Sequence, residues 1–125
     1  MKQAKDDLKV ITKSKELAGH TLKVTSNPKR FPKKYRYSLC ARMQDKSLQI
    51  YETLMEANRT LISNIALRSE LQTKAILYCD ELLFYIELSM STLHILEPNS
   101  AEYWSKLVSD IKHMTIAWRT KDKER

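Results

Sequence analysis

The residues best suited to chemistry are cations, and they crowd into one short segment of the chain. Five of them fall within eight residues, interleaved with three aromatic side chains: Lys29, Arg30, Lys33, Lys34 and Arg36 among Phe31, Tyr35 and Tyr37. Lysine and arginine neutralise phosphates, and exposed rings can stack on bases, so this mixture is typical of a nucleic-acid contact. Phe31 is equally suited to a hydrophobic staple, and the two tyrosines to helix packing. No base-reading motif accompanies the cations, so we expect RNA or an RNA/DNA hybrid to bind with little sequence preference.

Two further sets of cations extend this candidate surface. Lys5, Lys9 and Lys13 recur every four residues, which places them along one face of a helix. Arg42 and Lys46 have the same spacing shortly after the basic segment. We therefore predict that all ten cations contribute to nucleic-acid binding.

Residues for catalysis or metal binding do not form a recognisable set. Asp110 with His113 is a single i, i+3 pair, whereas a metal-binding four-helix bundle needs several such ligands on facing helices. The chain has one glycine, which argues against a glycine-rich phosphate loop. The sequence predicts a protein with no catalytic residues, metal or cofactor.

The composition is that of long amphipathic helices. The chain has 125 residues, of which 42% are hydrophobic and 30% charged, with one glycine and three prolines to interrupt them. This length predicts a single domain over residues 1–125. No apolar run approaches the ~20 residues of a membrane span, and the charged first residues do not form a secretory signal, so we expect a cytoplasmic protein that does not enter a membrane.

The net charge of +7 is concentrated at the start of the chain. Residues 1–38 hold eleven Lys or Arg against three acids, giving +8, and residues 39–125 hold eleven against twelve, giving −1. This asymmetry favours a polyanionic partner, although a lysine-rich face that only aids solubility would give the same numbers.

Apolar periodicity predicts an all-α fold with helices at about 6–25, 33–62, 69–96 and 99–120, followed by a charged tail over 121–125. The pairs Ser69 with Gln72 and Asn99 with Glu102 suggest the starts of the third and fourth helices. Cys40 and Cys79 fall within helical patterns and are predicted to be buried thiols. Short connections favour an up-and-down antiparallel four-helix bundle.

The third predicted helix is apolar around most of its circumference. A bundle member needs one apolar stripe, so the second face predicts a homo-oligomer interface; its residues are Leu77, Tyr78, Phe84, Tyr85 and Leu88. A central, unusually buried helix in a monomer would give the same pattern.

Several segments resemble the Avd-like four-helix-bundle family, the accessory proteins of diversity-generating retroelements. The likeness is sharpest between Arg30 and Asn58, in the segments RFPKKYR at 30–36, IYE at 50–52 and EAN at 56–58, and YCDELL at 78–83 and MTIAWR at 114–119 fit it as well. The chain is similar, more distantly, to bundle proteins encoded in ribosomal RNA intervening sequences. Glu56 is followed here by Ala57, where that second group commonly has a glycine.

The resemblance implies a homopentamer that binds nucleic acid and a reverse transcriptase and has no catalytic activity of its own. The sequence leaves two alternatives open. One is a protein-interaction scaffold bundle with no nucleic-acid role, and the other is a peripheral membrane binder, which is weakened because the basic stripes lack the large aromatic and leucine face of an interfacial helix.

Overall fold

Four α-helices make up most of the chain. The computed structural model describes the backbone of residues 2–125 and the side chains of residues 9–125. The helices are α1 (Lys2–Thr25), α2 (Ala41–Arg59), α3 (Ile65–Glu87) and α4 (Pro98–Lys123). The predicted all-α class is confirmed.

The helices form an antiparallel ring. Each packs against its neighbour in sequence, and α1 also packs against α4. Between α3 and α4, Arg68 contacts Asp122 and Asp80 contacts Lys112, so residue numbers rise along one helix as they fall along the other. The contacts of α1 with α4, Lys13 to Asp110 and Thr21 to Trp104, run in the same antiparallel sense. The up-and-down four-helix bundle is therefore confirmed.

The core is built from apolar residues at helical spacing on all four helices. On α1 three core residues recur every seven positions: Val10, Leu17 and Val24. The other helices contribute Met43, Ile50 and Leu54 from α2, Ala75, Cys79, Leu82 and Ile86 from α3, and Trp104, Val108, Ile111 and Trp118 from α4. Both cysteines are buried thiols, as predicted, and burial raises the pKa of Cys79 to about 12.

The second predicted helix is too long at both ends. Residues 33–40 form a 3-10 turn (Lys33–Tyr35) and a π-helical turn (Arg36–Cys40) before α2 begins. At the other end, Thr60 adopts an extended backbone, and its hydroxyl donates to the Glu56 carbonyl at 2.8 Å. The helix therefore stops at Arg59, and Leu61, which falls within the predicted helix, is 74% exposed.

The third predicted helix starts and ends too late. Asn64 caps it, because its side chain accepts a hydrogen bond from the Leu67 amide, and the predicted start at Ser69 lies inside the helix. Beyond Glu87 the chain continues as a π-helical turn, Leu88–Thr92. His94 then adopts a left-handed backbone with a φ of 54°, which ends the helical run before residue 96.

The fourth helix is longer than predicted at both ends. It begins at Pro98, a position at which proline loses no helical hydrogen bond, and not at a cap formed by Asn99. It continues to Lys123, so the predicted charged tail over 121–125 is mostly the last turn of α4. The reason is Asp122, which is 2% exposed and belongs to the core of the bundle.

Asp122 lies in a buried polar network that joins three helices. Arg68 donates through Nε to Asp122 Oδ2 at 3.0 Å and through Nη2 to Asp122 Oδ1 at 3.1 Å, and Gln72 Nε2 donates to Oδ2 at 2.7 Å. Arg68 Nη1 also donates to the Thr60 carbonyl at 3.0 Å, and the guanidinium lies 5.1 Å from the centre of the Trp118 ring. A carboxylate is stable in such a place only when it is paired and hydrogen-bonded, so these contacts fix the ends of α2 and α4 to the start of α3.

We expect Asp122→Ala to lower the free energy of unfolding by about 3 to 5 kcal/mol, because it leaves the Arg68 guanidinium buried without its partner. Replacing the whole network, with Arg68→Met, Gln72→Met and Asp122→Leu together, should cost less than this single change. Urea denaturation followed by circular dichroism measures both. Lys106→Ala, which removes an exposed pair with Asp110, is the control and should cost less than ~1 kcal/mol. A loss as small as the control's for Asp122→Ala would show that the network does not stabilise the bundle.

Candidate nucleic-acid interface

The connection between α1 and α2 is a tight, anchored loop. The Asn27 carbonyl accepts hydrogen bonds from the amides of Arg30 and Phe31, both at 2.9 Å, and its side chain accepts from the Lys29 amide at 3.0 Å. Phe31 is buried, with its ring 6.2 Å from that of Trp104 at an edge-to-face angle. Since Phe31 points into the bundle, the cations on either side of it are directed to the surface.

All five cations of this loop are exposed. None of them lies within ion-pair distance of a carboxylate in the part of the chain that the structure describes. Arg30 Nη1 donates to Ser100 Oγ on α4 at 2.9 Å, and Lys34 Nζ lies 5.3 Å from the centre of the Tyr35 ring. Four of the five therefore present ammonium or guanidinium groups that are neither hydrogen-bonded to another side chain nor neutralised by one.

The loop cations face two sides of the bundle. Lys33 and Arg36 line a cleft of about 360 Å³ between the end of α1 and the start of α2, with Gln44 on its wall. Arg30 borders two smaller clefts, one of about 180 Å³ that reaches the start of α4 and one of about 250 Å³ beside the end of α1. The predicted cluster is thus one basic end of the bundle with two differently oriented faces.

The other predicted cations divide into exposed and paired groups. Arg42 and Lys9 are exposed, whereas Lys46 Nζ lies 3.2 Å from Glu81 Oε1 and 4.9 Å from the centre of the Tyr78 ring. Lys13 Nζ lies 3.6 Å from Asp110 Oδ2. Lys46 and Lys13 therefore hold helices together across the bundle. Lys5 lies outside the residues whose side chains are described.

Only one of the three loop aromatics is presented to solvent. Tyr37 is 88% exposed, whereas Tyr35 is half-buried against the core and Phe31 is buried. The packing interpretation holds for Phe31 and Tyr35, and the stacking interpretation remains open for Tyr37.

A second group at this end of the bundle was missed by the sequence analysis. His20 contacts Tyr103 edge to face with ring centres 5.1 Å apart, and Trp104 at 5.8 Å. Burial lowers the pKa of His20 and the positive charge of Arg30 lowers it further, while the negative charge of Glu16 opposes this and Lys23 adds the smallest lowering effect. The sequence signal was available, because antiparallel pairing of α1 with α4 brings residues near 20 beside residues near 104.

The acidic and histidine side chains that the structure describes do not form a metal-binding group. Asp110, the nearest approach to a metal ligand, is occupied by Lys13 and Lys106. No group of three or more His, Cys, Asp or Glu side chains among the described residues could hold a metal ion. Within the same residues, no helix combines the length and apolar character needed to cross a membrane.

The predicted oligomer face of α3 is only partly exposed. Leu77 and Phe84, seven residues apart on one side of the helix, are 54% and 59% exposed. Tyr78, Tyr85 and Leu88 are half-buried and pack against the core, so three of the five predicted residues serve the bundle itself. Exposed apolar residues that the prediction omitted lie around the turn between α2 and α3: Leu61, Ile62, Ile65 and Leu67.

Comparison of this chain with protein-family models, with curated proteins and with solved structures finds no match.

Proposed function

We propose that this protein is a non-catalytic, nucleic-acid-binding accessory protein of the Avd-like kind, which partners a reverse transcriptase in a diversity-generating retroelement. The observation that carries the proposal is the unneutralised basic end of the bundle. Cations on the body of the bundle, such as Lys13, Lys46 and Lys112, pair with carboxylates on other helices. The loop cations have no such partners among the residues whose side chains are described, so they are available to phosphates.

The arrangement of these cations favours recognition of the phosphate backbone. They sit on a loop that is anchored by Phe31 and by hydrogen bonds to Asn27, so little ordering is needed when a ligand binds. Lysine and arginine at an exposed end contact phosphates without reading bases. Binding with little sequence preference, to RNA or an RNA/DNA hybrid, is the behaviour that this geometry supports best.

Replacing Lys33, Lys34 and Arg36 together by alanine should weaken RNA binding and reduce the slope of log affinity against log salt by about 2 to 3, because three phosphate contacts are lost. Arg30 is left in place because it also holds the loop to Ser100. Titration with RNA at several salt concentrations measures the slope. The matched control is Arg59→Ala with Lys74→Ala and Lys123→Ala, which removes the same three charges from exposed positions away from the loop. Equal slopes for the two folded variants would refute the loop as the contact surface.

The reverse-transcriptase partnership rests on the resemblance of residues 30–58 to the Avd-like family. A purified reverse transcriptase from a diversity-generating retroelement should retain the protein on an affinity matrix after nuclease treatment. Retention that disappears with nuclease would mean that nucleic acid bridges the two proteins. No retention in either condition would remove the partnership and leave nucleic-acid binding to be judged by the salt titration.

The exposed side of α3 favours self-association as a part of this function. Leu77 and Phe84 expose large apolar side chains two turns apart, and burying each against another subunit would contribute about 1.5 to 3 kcal/mol. We propose a closed homo-oligomer, and the family resemblance favours a pentamer. The same exposed side chains would serve the alternative function, a scaffold that binds another protein.

Phe84→Glu should dissociate the oligomer, because it places a charge in an apolar contact. Size-exclusion chromatography with light scattering gives the mass of each form. Phe84 is a cleaner site than the half-buried Tyr85, whose substitution would also disturb the bundle, and Tyr37→Glu is the control at an exposed aromatic elsewhere. A wild-type protein that stays monomeric at high micromolar concentration would exclude self-association through this face.

A further inference from the structure

The groove beside the end of α1 combines charge with a neighbouring exposed ring. It has a volume of about 250 Å³ and is lined by His20, Lys23, Val24, Asn27 and Arg30, all on α1 or the α1–α2 connection. The ring of Tyr103 on α4 contacts His20, a residue of this lining, and is 55% exposed. We propose that this groove binds one nucleotide of a single-stranded nucleic acid, with the phosphate between Lys23 and Arg30 and the base stacked on Tyr103.

The phosphate position follows from the charges around Arg30. Arg30 borders two clefts, and the smaller one, toward Ser100, also contains the carboxylate of Glu97, which repels an anion. The groove on the other side contains Lys23 and no acidic residue. The bond from Arg30 to Ser100 Oγ uses one guanidinium nitrogen and holds the side chain in place between the two clefts. A phosphate is therefore stabilised on the Lys23 side.

The base position follows from the packing of Tyr103. The ring contacts His20 edge to face at 5.1 Å, and His20 in turn contacts Trp104, which donates through Nε1 to Thr21 Oγ1 at 3.1 Å. The tyrosine is thus supported by the half-buried His20, which packs on the buried Trp104, while more than half of the tyrosine surface remains open. Stacking on such a ring is available to any base, but only in a strand whose bases are unpaired.

This inference rests on the proposed function and narrows the expected ligand to nucleic acid with single-stranded segments. Contacts of the α1–α2 loop with phosphates do not distinguish single strands from duplexes. A stacking ring does, because a duplex keeps its bases inside the helix. The groove would therefore add a preference for single-stranded segments to a surface that otherwise binds any polyanionic strand.

The test compares Tyr103→Leu and Tyr103→Phe with the wild type, using a short single-stranded RNA of mixed sequence and a blunt duplex of the same length. Leu48→Ala is the control, since Leu48 is an exposed apolar residue on α2, outside both the basic loop and the groove. We expect Tyr103→Leu to weaken single-strand binding by about tenfold, as the loss of one stacked base predicts, and to leave duplex binding unchanged. Tyr103→Phe should bind as the wild type does, and Leu48→Ala should lose neither interaction. Circular dichroism confirms the fold of each variant.

Each other outcome has a distinct meaning. If the wild type binds RNA and Tyr103→Leu binds the single strand as tightly, the groove is not a base-stacking site, and the proposed function is unaffected. An equal loss for single strand and duplex would likewise overturn the stacking role. If the wild type binds neither probe at low salt, the proposed function fails, and this inference fails with it.

Discussion

The ion pair between Arg68 and Asp122 is the constraint on which the arrangement of the bundle depends. Asp122 is buried in the last turn of α4, and Arg68 is buried in the first turn of α3. Burying either charge alone would cost free energy, so α3 must begin and α4 must end where the two side chains can pair. Arg68 also donates to the Thr60 carbonyl just beyond α2, which fixes the turn that leads into α3. Three of the four helices are thereby aligned at one end.

The opposite end is held by aromatic packing instead of charge. Phe31 and Trp104 pack against each other in the core, and Trp104 donates a hydrogen bond to Thr21. The charged side chains of the α1–α2 connection lie outside the core and have no carboxylate partner among the described residues. The two ends of the bundle therefore differ. The charges at one end form a buried ion pair that stabilises the fold, and the charges at the other end are exposed to solvent. A polyanion is the ligand that this second end suits.

Regular apolar periodicity made the fold predictable. The exact ends of the helices were not predictable, because they depend on specific side-chain contacts. The buried positions of α4, from Trp104 to Trp118, follow directly from apolar spacing. The helix boundaries do not, because they depend on Thr60 leaving the helix, on the cap at Asn64 and on the left-handed backbone at His94. Asp122 could not be assigned to the core from sequence, since an aspartate in a run of charged residues gives no sign of a buried arginine 54 residues away.

The candidate site was predictable only where its residues are neighbours in the sequence. The cations Lys33, Lys34 and Arg36 lie close together in the chain, so the sequence alone shows that they cluster. The structure shows that they are exposed. The pairing of Lys46 with Glu81 depends on the contact between α2 and α3, and spacing along one helix could not show it. The contact of Tyr103 with His20, which lines the groove together with Lys23, likewise results from the antiparallel packing of two helices. Non-local contacts thus both removed residues from the predicted surface and added others to it.

The most direct test of the central claim, that nucleic acid binds at the α1–α2 end, is to map the contact on the folded protein by amide chemical-shift changes during titration with single-stranded RNA. Binding at this end should concentrate the changes at residues 20–36 and at the start of α4 around Tyr103. The far end, around Arg68 and Asp122, should remain unchanged. Changes concentrated at the turn between α2 and α3, or spread along α3, would contradict the claim.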